Sequence, residues 1–68
     1  MVSKYLKIYF TNNKISQYEV ERKTGIARSK INLSLNDKRK ITADELIKIA
    51  VAFNIDLNKV KEIIQSLN

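Results

Sequence analysis

Seven basic side chains, Arg22, Lys23, Arg28, Lys30, Lys38, Arg39 and Lys40, fall between positions 22 and 40, opposed there only by Asp37. The rest of the chain is charge-balanced, so the whole formal excess of +6 sits in that stretch. Guanidinium and ammonium groups gathered in this way suit a row of phosphates, whose oxygens accept their hydrogen bonds and whose charge they neutralise. Between them stand Ser29, Asn32 and Leu33. With Arg28 and Lys30, these residue types can read base edges. Arg grips guanine with two bonds, Asn suits adenine, Ser suits several acceptors, and an apolar side chain meets a thymine methyl. The plainer reading of such a run is a solvated face that aids solubility, and the surrounding pattern decides against it.

Other chemistries are disfavoured by what the chain contains. It has no His and no Cys, which removes the usual zinc ligands, the usual general base and any disulfide. The Ser, Lys, Asp and Glu residues show no spacing that builds a nucleophile with its base. Glu19 and Glu21, two apart, cannot pair on one helix face. No enzyme, metal or cofactor is expected. The apolar runs are too short to cross a bilayer, and the first residues lack the layout of a signal peptide. The expectation is a soluble, cytoplasmic protein. A basic membrane-surface helix is disfavoured too, because the charged stretch spans two short helices and a turn.

The elements that must hold these residues are all helical. The chain has 68 residues and an apolar fraction of 44%, enough for one domain, 1–68, whose core only just outweighs chain entropy. Apolar residues recur at helical spacing, and no alternating run suggests a strand. The pattern predicts an all-α, five-helix domain with helices at about 2–12, 17–24, 28–36, 43–53 and 57–67. Val2, Leu6, Tyr9 and Phe10 form the first stripe. Ser16 with Glu19 reads as a capping box opening the second helix, which buries Val20 and ends at Gly25, where a left-handed backbone costs little. The third helix buries Ile31 and Leu35. Thr42 with Glu45 forms a second capping box, ahead of the inward set Leu46, Ile49, Ala50 and Phe53. Asn54 suits a left-handed cap. Asp56 caps a fifth helix carrying Leu57, Val60, Ile63, Ile64 and Leu67.

Helices two and three are joined by a few residues including Gly25, so they must cross steeply, as in a helix-turn-helix. The run Ile15-Ser-Gln-Tyr-Glu-Val-Glu-Arg-Lys-Thr-Gly-Ile-Ala-Arg-Ser-Lys-Ile31 resembles that motif in the Cro and phage-repressor (Xre) family. Asn36-Asp-Lys-Arg-Lys-Ile-Thr42 and Leu46-Ile-Lys-Ile-Ala50 match it as well, and the resemblance covers about Leu6 to Val60. It implies a lambda-repressor-like fold and DNA binding. By that resemblance Gln17 meets a phosphate at the start of helix two. Arg28, Ser29 and Leu33 take base-reading positions, flanked by Lys30 and Asn32. Asn36, Lys38, Arg39 and Lys40 form the loop that holds the DNA backbone. Plainer readings stand beside three of these: surface filling for Gln17, a helix C-cap for Asn36, and a stray exposed apolar residue for Leu33.

The chain departs from the family pattern at several positions. Glu21 replaces a small residue where helix two approaches helix three. It must turn outward toward Arg22 or Lys23, or the helices must spread. Ala27 stands where a Ser often caps helix three, so a bond worth roughly 1 kcal/mol is expected to be missing. Ser34 takes a commonly apolar position, and Asp37 replaces a turn Gly. Relatives often carry an ion pair at the positions of Phe10 and Leu35. An apolar contact there is often neutral or stabilising, so Phe10 is expected to pack on Leu35.

The leading expectation is sequence-specific binding to duplex DNA, as a small transcriptional repressor of phage, plasmid or bacterial origin. Two half-sites roughly 34 Å apart are the usual requirement for so small a reader. A homodimer on a palindromic operator is therefore expected, with Ile63, Ile64 and Leu67 as the candidate contact; core packing is the stronger reading for Val60 and Ile64. The alternative is a protein-interaction module of antitoxin or antirepressor type that keeps the fold. The lack of a tail rich in Pro, Gly or Ser points toward a complete small protein.

Overall fold

Local signals at helix ends account for most of the architecture. A computed structural model describes residues 2–56, 58, 59, 61 and 62. It contains α1 (Val2–Asn12), α2 (Gln17–Thr24), α3 (Arg28–Leu35) and α4 (Ala43–Ala52), and no strand occurs among the described residues. Among the described residues the domain is all-α, and four of the five expected helices are delimited. The expected fifth helix falls largely on residues outside those described, as do Leu57, Val60, Ile63, Ile64 and Leu67. Where that segment begins, Asp56 Oδ1 accepts the Asn58 N–H at 2.9 Å and its carbonyl accepts Lys59 N–H at 3.1 Å.

Three helices end in the same way. Lys14, Asp37 and Asn54 adopt left-handed backbone with φ of 55°, 59° and 54°. The next N–H then reaches back five residues: Ile15 to Phe10 O, Lys38 to Leu33 O and Ile55 to Ala50 O, each at 2.8 Å. These are Schellman closures, which satisfy carbonyls that the helix itself leaves free. After α1 and α4 the returning residues, Ile15 and Ile55, drop toward the core. At α2 the left-handed residue is Gly25, with φ 77° and its N–H on Glu21 O at 2.8 Å.

The two capping boxes differ. Thr42 and Glu45 bond reciprocally, at 3.0 and 3.1 Å. At α2 only half of the expected box forms. Ser16 Oγ accepts Glu19 N–H at 3.1 Å, while the Glu19 carboxylate faces Arg22 and Lys23 at 3.8 and 3.9 Å. Two cations one turn ahead compete for it with the single N–H behind.

The core gathers Leu6, Phe10, Val20, Ile26, Ile31, Leu35, Leu46, Ile49, Ala50 and Ile55. Leu6 and Val20 are wholly enclosed. α3 is held between α2 and α1, and α2 also rests on α4. Phe10 and Leu35 are both buried and line one void of about 10 Å³, so the apolar replacement of an ion pair is packed as expected. That void holds one water at most and no effector molecule. Edge-on contacts with Phe53 at 5.5 Å and Tyr9 at 5.9 Å fix the Phe10 ring. Partners on both sides therefore fix α3, which carries the candidate functional residues.

Candidate nucleic-acid interface

The N-terminus of α3 is assembled from α2 as much as from its own sequence. Ala27 provides no side-chain cap, as expected. The missing bond comes instead from Glu21, whose Oε2 accepts the Arg28 N–H at 2.9 Å. Its Oε1 lies 3.4 Å from Arg28 Nε. Glu21 thus turns neither to Arg22 nor to Lys23. Those two cations already share Glu19, and the free N–H groups opening α3 attract a carboxylate. The spacing gives the face on which Glu21 lies, though not its partner. Gln17 and Glu21 lie four apart, so a helix that aims one toward α3 aims the other there too.

Gln17 does face α3. Its Oε1 accepts a bond from Asn32 Nδ2 at 3.3 Å, leaving the Gln17 amide NH₂ and the Asn32 side-chain Oδ1 available. Arg28, Ser29, Lys30, Asn32 and Leu33 are all exposed. Leu33 keeps 44% of its surface in solvent although it belongs to a helix whose other apolar residues, Ile31 and Leu35, are buried. Tyr18 joins this surface without having been singled out from the sequence. It is 59% exposed, with its ring 5.5 Å from the Arg28 guanidinium.

The basic stretch does not form one free cationic surface. Lys23 sits 5.2 Å over the Phe53 ring as well as near Glu19. Arg39, expected on the DNA backbone, is half-buried and engaged by partners within the protein. It donates to Glu45 Oε1 and Oε2 at 3.0 and 2.7 Å and to Ser34 Oγ at 2.9 Å. This explains how a Ser occupies a commonly apolar position: Ser34 is 2% exposed, and its hydroxyl accepts from a guanidinium. Arg39, together with the Thr42 backbone N–H, holds the Glu45 carboxyl far below its ordinary range, at about 2. Lys30, Lys38 and Lys40 are exposed and have no carboxylate partner among the described residues.

Asn36 closes α3. Its backbone N–H and its Nδ2 both bond to Asn32 O, at 3.1 and 2.9 Å. The capping reading therefore describes it within the protein, and its side-chain carbonyl stays in solvent. Asp37 in the left-handed turn accepts a bond from the Ser3 hydroxyl, which ties the turn after α3 to the start of α1.

Two short helices packed together across a three-residue turn, the second of them offering its polar side chains to solvent, define a helix-turn-helix. The family model described as helix-turn-helix matches residues 6–60, and the chain belongs to that family, of the Xre and lambda-repressor type. No curated protein and no solved structure matches it significantly. No described helix is long and apolar enough to cross a membrane.

Proposed function

We propose that this chain binds duplex DNA sequence-specifically as a small transcriptional repressor, with α3 in the major groove. The observation that carries the reading is the exposed set Arg28, Ser29, Lys30, Asn32 and Leu33 on a helix packed against both α1 and α2. These residues offer donors, acceptors and an apolar tip matched to base edges. Gln17 at the start of α2 and Lys38 and Lys40 after α3 flank them, where phosphates pass when a helix of this length enters the groove. A homodimer on a palindromic operator, with half-sites roughly one turn or 34 Å apart, supplies the contact area that one such module lacks.

The test is selection from a random pool of duplexes at two salt concentrations, followed by sequencing. Enrichment of a palindrome with that spacing, weakening steeply with salt, is expected. Retention without enrichment would reduce the function to non-specific binding, and no retention at low salt would remove it.

A further inference from the structure

Glu21 makes two contacts with one residue of the reading helix. It accepts the Arg28 backbone N–H through Oε2 at 2.9 Å and approaches Arg28 Nε with Oε1 at 3.4 Å. Tyr18, one helical turn before Glu21, places its ring 5.5 Å from the same guanidinium. The Arg28 and Glu21 side chains are 58% and 36% exposed, and ion pairs so exposed contribute little to stability. What the pair does bias is direction. An arginine side chain carries five N–H donors in a rigid fork. With the Glu21 carboxylate lying beside Nε, the end left open is the Nη1 and Nη2 pair, the end that can meet guanine O6 and N7 with two parallel bonds. A side chain already restrained in the free protein loses less freedom on binding. The adjacent carboxylate also repels phosphate, which leaves a base edge as the better partner for this arginine.

The geometry points to Glu21 as a positioning residue for base specificity, which with Tyr18 presents the terminal nitrogens of Arg28 to a guanine. This rests on the DNA-reading role of α3 and adds the source of its base preference. Glu21 is the residue at which this chain departs from the small side chain common at that position.

The experiment compares affinities of the full chain for its selected duplex and for duplexes in which each guanine pair of the half-site is replaced by an adenine pair. Wild type, Arg28→Ala, Glu21→Gln and the double variant Glu21→Gln with Ala27→Ser are measured, each with its thermal midpoint. Wild type is expected to prefer guanine at one position by about tenfold or more, and Arg28→Ala to lose that preference. Glu21→Gln keeps an oxygen for the Arg28 N–H but not the charge, and is expected to lower the preference severalfold while binding unrelated duplexes more tightly. The double variant supplies a hydroxyl cap of its own, and is expected to remain impaired in base preference. Full guanine preference in Glu21→Gln, or its full recovery in the double variant, overturns the inference and leaves DNA reading by α3 intact. A wild-type chain without any base preference overturns both.

Discussion

Arg39 and Glu45 meet through two parallel N–H···O bonds of 3.0 and 2.7 Å, and so clamp the loop between α3 and α4. The same Glu45 closes the capping box with Thr42, and the same Arg39 satisfies the buried Ser34 hydroxyl. One ion pair therefore joins the end of α3, the basic loop and the start of α4. Bidentate Arg–carboxylate geometry is the strong form of such a bond.

This arrangement gives stability a defined acid limit. The Glu45 carboxyl is held at about 2 in the folded chain against an ordinary value of 4.5. Because the folded value is depressed, the unfolded state takes up the proton first as pH falls. The contribution of Glu45 is thus complete above about pH 4.5 and is lost on the way down to about 2. Thermal unfolding of wild type and Glu45→Gln across that window should show the wild type falling more steeply. Parallel pH profiles would contradict the assignment.

Lys38 and Lys40 should behave differently from Arg39 toward DNA. Replacing either Lys with Ala is expected to reduce the slope of log K against log salt by about 1, with little change in stability. Arg39→Ala is expected to lower the thermal midpoint, because it strips the partner from Glu45 and Ser34, and to leave the salt slope nearly unchanged. Binding titrations at four or five salt concentrations, paired with thermal melts, separate the two behaviours.

The left-handed residues offer a stability test free of packing effects. Lys14 is exposed at φ 55°, a conformation that costs a residue with a Cβ roughly 1–2 kcal/mol. After the greater entropy of unfolded Gly is deducted, Lys14→Gly should stabilise by about 0.5 kcal/mol or more. At Gly25 an added Cβ meets nothing within 4 Å. Gly25→Ala should therefore cost only the backbone penalty, about 1 kcal/mol. Chemical denaturation reads both changes.

Leu35 packs where relatives place a charged partner, 9% exposed beside the buried Phe10. Truncation to Ala removes apolar burial and enlarges an existing void, and should cost about 2–5 kcal/mol. In a domain this small that is a large share of the total stability. A midpoint unchanged by Leu35→Ala would show that the contact between α1 and α3 matters little.

Much of the fold could be read from residues that act locally. Ser16, Gly25, Thr42 and Asn54 mark helix ends through bonds to their own neighbours, and the observed helices begin and end within a residue of the positions those signals predict. The apolar stripes located Leu6, Phe10, Val20, Ile31, Leu35, Leu46, Ile49 and Ala50 in the core. The turn at Lys14 was harder to foresee, because Lys does not advertise a left-handed backbone as Gly, Asn or Asp does.

At the interface, exposure of the base-reading set on α3 follows from helical spacing. The pairing of charges does not. Glu21 reaches Arg28 across the turn between α2 and α3, and Arg39 reaches Glu45 across the loop before α4. Whether such partners meet depends on how two helices cross, which composition along the chain does not encode. For that reason a stretch carrying the whole net charge yields three lysines without carboxylate partners among the described residues, while Arg22, Lys23, Arg28 and Arg39 each face a glutamate.

The most direct test of the central claim is amide chemical-shift mapping of the folded chain during titration with its selected duplex. The largest changes are expected at Gln17, through Arg28 to Leu33, and along Asn36 to Lys40, with the exposed Ile47 and Val51 of α4 little affected. Changes concentrated on α4 instead, with α3 unmoved, would contradict DNA reading by α3.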